Sequence, residues 1–137
     1  MKDIRDNFVP YEESKALKEL GFNAKCFGFY SITGHLNLVN PWREREKFSD
    51  DTDAPLWQQA FEFFREKYKL DFDIYKQWRY SANFKANETF YRFAIHNFNL
   101  GRESKEYILS ISTELYVIYE EAQLECLRTL IKLVKKT

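Results

Sequence analysis

The sequence predicts an α+β fold, and three stretches carry that prediction. Between Phe72 and Phe84 the even positions Phe72, Ile74, Trp78, Tyr80, Ala82 and Phe84, interrupted by Lys76, make a period-two face that suits a long strand. In "YEEAQLECLRTLIKLVKK" (119–136) Ala122, Cys126, Leu130 and Leu133 fall on one helical stripe, which Leu127, Ile131 and Val134 widen. "CFGFYSITGHLNLV" (26–39) reads as strand, turn and returning strand. The architecture expected is an antiparallel sheet of about four strands with the helices at 55–68 and 120–136 packed mainly on one face, the helix at 10–20 lying beside them.

The first helix is placed at 10–20, "PYEESKALKEL". Pro10 suits a first-turn position, and Glu12 and Glu13 complement the positive end of the dipole. Gly21 can take the left-handed cap, with Phe22 folding back on Leu17. Thr33 and Gly34 turn the hairpin, and Asn40-Pro41 closes it. The second helix, 55–68, follows from Trp57, Ala60, Phe61, Phe64 and Tyr68 at helical spacing, with Pro55 at its start. "DDTD" just before it reads as helix initiation, its carboxylates sitting at the dipole's positive end.

"KANE" (85–88) turns the long strand into "TFYRFAIHNFNL" (89–100). Both faces of this second strand are bulky, so a central position covered on both sides is expected. Segment 102–118 reads equally as strand or short helix. The final helix opens on Glu120 and Glu121 and closes on Lys132, Lys135 and Lys136, matching the dipole at both ends.

The totals narrow the class. A chain of 137 residues suits a single domain, 1–137. With 45% hydrophobic and 31% charged residues it is neither disordered nor membrane-embedded. The N-terminal "MKDIRDNFVPYEESK" lacks the apolar core of a signal peptide, so a cytoplasmic location is expected. Lys plus Arg equals Asp plus Glu, 21 each, which removes the excess positive charge a general nucleic-acid binder uses. Aromatic residues reach 18%, enough that some rings should meet solvent and favour partner binding.

Catalytic and cofactor motifs are scarce. The imidazole bases are His35 and His96, and the thiols are Cys26 and Cys126. Cys26 and His35 could lie on neighbouring strands as a nucleophile–base dyad, although Cys26 stands among Phe27, Phe29 and Tyr30, where a cysteine is usually a small core residue. His96, mid-strand, reads as a hydrogen-bonded structural histidine. The His and Cys residues lack the short spacings of a preformed zinc site, and no Walker or dinucleotide loop is present. No metal, no cofactor and no enzymatic activity are therefore expected. An alternative is single-stranded nucleic acid bound on a sheet face through Trp78, Arg79 and Arg92, rings stacking on bases while cations follow the backbone.

Four segments, "FVPYEESKALKELGF", "CFGFY", "WQQAFEFFREKY" and "YEEAQLECLRTLIKLVKK", occur in this order. Together they resemble a family of short proteins encoded by phages and prophages of Bacteroidota bacteria. The likeness lies in packing segments across roughly half the chain, so it carries no catalytic residue with it; 43–54 and 99–118 depart from the pattern. The resemblance implies an accessory protein in a bacterial host's cytoplasm that occupies a host protein or ribonucleoprotein. Its sharpest form is an anti-CRISPR inhibitor of an RNA-targeting type VI-B effector, with direct RNA contact left open. On that expectation "PWREREKFSDDTDAP" (41–55) is a recognition loop. Trp42 and Phe48 are its anchors, and Arg43, Arg45 and Lys47 are steering charges on its rim. The bland alternative is a solvated connection.

Overall fold

The computed structural model describes residues 3–40, 48–80, 87–97, 100 and 107–135, without the side chains of 78–80 and 87–88. After a 3-10 turn at Ile4–Asn7 come α1 (Tyr11–Glu19), β1 (Gly28–Tyr30), β2 (Leu36–Leu38), β3 (Thr52–Ala54) and α2 (Trp57–Tyr68). Then follow β4 (Leu70–Tyr80), β5 (Asn87–Asn97), β6 (Ile108–Ile111) and α3 (Tyr119–Lys135). The α+β class holds. The strands do not share one sheet, however: they form two antiparallel sheets of three, ordered β2-β1-β3 and β4-β5-β6. The chain divides into two compact units, Met1–Phe63 and Phe64–Thr137, with the division inside α2.

In the first unit α1 begins at Tyr11, with Pro10 as its N-cap one place before the expected first turn, and it ends as the sequence predicts. Gly21 takes φ 97° and donates to Lys18 O, while Phe22 N–H reaches Leu17 O at 3.0 Å. These two bonds are the Schellman ending, and they bury Phe22 beside the fully buried Leu17. The hairpin pairs Gly28 with Leu38 and Tyr30 with Leu36. On its other edge β1 pairs with β3, Gly28 opposite Ala54 and Tyr30 opposite Thr52.

That third strand corrects the reading of "DDTD". Thr52 and Ala54 alternate inward and are buried, and Asp53 lies across from Phe29, so this segment completes a sheet. The start of α2 is held by Gln59 instead. Its side-chain oxygen accepts the Leu56 N–H at 2.9 Å, the glutamine half of a capping box.

The core of this unit gathers Phe8, Tyr30 and Ala54, flanked by Tyr11, Leu36 and Leu56. At its centre the Val9 carbonyl accepts the Tyr30 hydroxyl at 2.7 Å and the Ser14 hydroxyl at 3.0 Å, and Val9 N–H donates to Pro55 O at 2.9 Å. Burial first, and the Glu13 carboxylate second, push the Tyr30 hydroxyl above its ordinary pKa and keep it a donor.

In the second unit β4 and β5 pair along their whole length, from Leu70↔Asn97 to Tyr80↔Asn87. β5 is central, as both its faces require, and Phe93, Ala94 and Ile95 are buried in succession. The ambiguous segment resolves as an edge. β6 pairs Ile111 with Ala94, Ser110 with Ile95 and Ile108 with His96, leaving Leu109 as a bulge. Beyond β6, Ser112 N–H donates to Phe93 O at 2.9 Å, and Tyr116 bridges Tyr91.

α3 lies against β5 and β4. It buries Ala122, Cys126, Leu127, Leu130, Ile131 and Val134, while Leu133 is half-buried. Its first residue, Tyr119, meets Tyr91 edge-on at 5.7 Å. Both cysteines are buried, and they are not joined in a disulfide. Burial pushes the Cys126 thiol far up. Among the described residues no helix is long and apolar enough to cross a membrane.

Between α2 and β4 a single residue, Lys69, turns the chain with φ 57°. A side chain in this left-handed region costs about 1–2 kcal/mol, so Lys69→Gly should raise the unfolding free energy by about 1 kcal/mol in urea titration. Gly21→Ala should lower it by a similar amount, because the cap at φ 97° then carries a Cβ. Leu130→Ala, at a fully buried position, should cost about 2–5 kcal/mol in the same assay.

Candidate interaction surfaces

Of the recognition stretch, Trp42, Arg43, Arg45 and Lys47 lie outside the described residues. Phe48 is described, and 62% of its surface is exposed. It stands on a closed turn. Asp51 N–H donates to Phe48 O at 3.0 Å, and Phe48 N–H donates to the Asp51 carboxylate at 3.2 Å. The ammonium of Lys18, on α1, donates to Ser49 O at 3.0 Å and Asp51 O at 2.7 Å, fastening the turn to the helix.

Between the turn and the end of α1 lies an open groove of about 420 Å³, walled by Ser14, Lys18, Phe22, Asn23, Phe48 and Asp53. Phe22 is itself held edge-on by Phe63 at 5.6 Å. Two rings with carboxylate and carbonyl oxygens between them suit an amphipathic side chain offered by another molecule. The sequence pointed to the stretch but not to its partner wall. Lys18, Phe22 and Asn23 sit some thirty residues earlier, and Lys18 reaches Ser49 across 31 positions.

The second surface is the β4–β5 face. Trp78 is in register with Thr89 and Arg79 with Glu88, their side chains outside the description. Arg92, opposite Tyr75, is engaged within the sheet: one terminal nitrogen donates to Gln77 at 3.1 Å and the other to Ser112 O at 2.6 Å. Its Nε is buried without a partner among the described residues. Ser112 is tied a second time, its hydroxyl accepting Phe93 N–H at 3.1 Å. Arg92 therefore clamps the segment after β6 onto β5, a different task from following a phosphate backbone.

Nearby, His96 Nε2 meets Asp73 Oδ2 at 2.6 Å, and its ring stacks on Tyr107 at 4.9 Å. Its Nδ1 is buried without a partner among the described residues. His96 is hydrogen-bonded within the sheet, as the sequence suggested.

The Cys26–His35 dyad is not assembled. Cys26 precedes β1 and lies at the open end of the hairpin, its Sγ directed to Ala24 O at 3.4 Å. His35 is exposed at the turn end, next to the Leu36–Tyr30 pair. Counting strand positions at ~3.3 Å each separates the two by roughly 15 Å. Among the described residues no three His, Cys, Asp or Glu side chains converge as a metal would require.

If Arg92 is a clamp, Arg92→Ala should cost about 1–3 kcal/mol by leaving a buried carbonyl unpaired, with Arg92→Lys recovering part of it, as read by urea denaturation. Comparison with protein-family models, with curated proteins and with solved structures found no match to the chain.

Proposed function

We propose that the protein acts by stoichiometric binding to a host protein or ribonucleoprotein. Its sharpest form is an anti-defence inhibitor of an RNA-targeting CRISPR effector. The observation that carries the binding reading is Phe48: a large ring, 62% exposed, on a turn closed by Asp51 and fastened by Lys18. Isolated exposed apolar residues are ordinary. A ring held out beside an open groove, with its backbone already ordered, resembles an interface anchor before its partner arrives. The anti-defence form is supported by the phage-protein resemblance of the four packing segments. In this reading Trp42 is a second anchor, and Arg43, Arg45 and Lys47 set the rate of encounter.

The test is co-purification with a type VI-B effector followed by titration calorimetry. Phe48→Ala should weaken the complex by about 2 kcal/mol, roughly thirtyfold. Trp42→Ala should act in the same direction, and reversing Arg43 and Arg45 to Glu should slow association and flatten its salt dependence. Binding as tight as wild type by both Phe48→Ala and Trp42→Ala, each folded, would refute the recognition stretch. Absence of any complex would remove the effector as the partner.

A further inference from the structure

We propose that β6 pairs antiparallel with β6 of a second copy of this chain, about a two-fold axis through Ser110. The β4-β5-β6 sheets of the two copies then become one continuous sheet of six strands. This goes beyond the proposed binding function and does not depend on it.

Sheet edges present unpaired N–H and C=O groups, and proteins guard them with charge, proline or covering structure. The other edges here carry such guards. β3 holds Asp53 with Asp50 and Asp51 just before it, and β4 carries Asp71, Asp73 and Lys76. β2 is three residues long, follows the exposed His35 and has Asn37 at its middle. β6 is different. It ends the order β4-β5-β6, so its outer backbone has no strand neighbour among the described residues. "YILSIST" (107–113) contains neither charge nor proline. Ile108, Leu109 and Ile111 are 49%, 42% and 44% exposed. Because Ile108 opposes His96 and Ile111 opposes Ala94, the bulge at Leu109 puts both isoleucines on one face of the sheet.

A second copy suits this edge because the edge is self-complementary. An axis through Ser110 sets Ser110 against its symmetry mate, and Leu109 against the second copy's Ile111 in both directions. Apolar cross-strand pairs flank a central hydroxyl pair, both favourable combinations, and no like charges meet over 108–112. Formal net charge is zero, so two copies approach without long-range repulsion. An isologous contact of this kind closes on itself and stops at two chains.

Sedimentation velocity across a concentration series should show a species of twice 16.6 kDa. Ile111→Lys, or Leu109→Lys should the first disturb folding, places like charges across the axis region. Either should weaken self-association about tenfold or more while circular dichroism stays unchanged. Ser110→Cys should join two chains through a disulfide when oxidised glutathione is added. Residues directly opposite in an antiparallel pair lie about 4.5–5.5 Å apart at Cα, within disulfide reach. Glu114→Cys, exposed on the same segment but away from the axis, should not cross-link. A chain that remains 16.6 kDa at every concentration would overturn the proposal, as would a dimer that survives both lysine variants. A Ser110→Cys protein that cross-links no faster than Glu114→Cys would do the same.

Discussion

The Val9 carbonyl is the point on which the first unit closes. Pro10 follows it, which biases Val9 to an extended conformation and leaves its oxygen just outside the helical ladder that begins with Ser14 N–H on Pro10 O. Two hydroxyls from separate elements reach that oxygen, Ser14 of α1 and Tyr30 of β1, while Val9 N–H takes Pro55 O. One buried residue, Val9, thus fixes the start of a helix, the end of a strand and the approach to α2. A buried carbonyl without donors costs about 1–3 kcal/mol, so both hydroxyls are held to their task. β3 is positioned because β1 is, and the turn that carries Phe48 hangs between β3 and Lys18 of α1. The presentation of the exposed ring is a remote consequence of that one carbonyl.

The second unit is organised by β5 in a comparable way. Its two neighbours differ in kind: β4 matches it residue for residue over eleven positions, whereas β6 matches it at three and slips between the first and the second, at Leu109. After the slip the edge is held by discrete ties, Ser112 to Phe93, Arg92 to Ser112, and Tyr116 to Tyr91. These draw the polar groups of the segment inward. What remains turned outward is apolar, which is why the edge carries isoleucine and leucine where its counterparts carry aspartate.

Long periodic segments were legible, and short or bulged ones were not. The stripe of α3 repeats through 17 residues, and its alternation with solvated lysines and glutamates admits one reading. The Schellman ending of α1 was also legible, because Gly21 and Phe22 sit at fixed offsets from Leu17. β3 was hidden since three residues cannot display a period, and its aspartates imitate a helix start that Gln59 in fact supplies. β6 was hidden by its bulge: inserting Leu109 between Ile108 and Ser110 destroys the alternation by which a strand is recognised. The left-handed turn at Lys69 leaves no compositional mark at all. At the candidate surfaces the sequence marked Phe48 through its charged surroundings. The tie that Arg92 makes was not legible, because it depends on a carbonyl twenty positions away.

Whether the stretch before α2 is a connection or a contact element turns on how much order it holds when alone. A solvated connection gains nothing from being fixed. Immobilising a lysine side chain costs up to about 1.5–2 kcal/mol of rotamer freedom, yet Lys18 is held by two carbonyls of this turn, and Asp51 closes the same turn from within. The return on that order is small in the isolated chain, because Phe48 stays in solvent and adds no core contact. In a complex the balance changes: ordering a loop on association subtracts from affinity, and a loop ordered beforehand avoids the subtraction. Rigidity combined with an unburied ring therefore costs free energy for the monomer and gains it for an assembly. Under the proposed binding function, that asymmetry is the one a contact element needs.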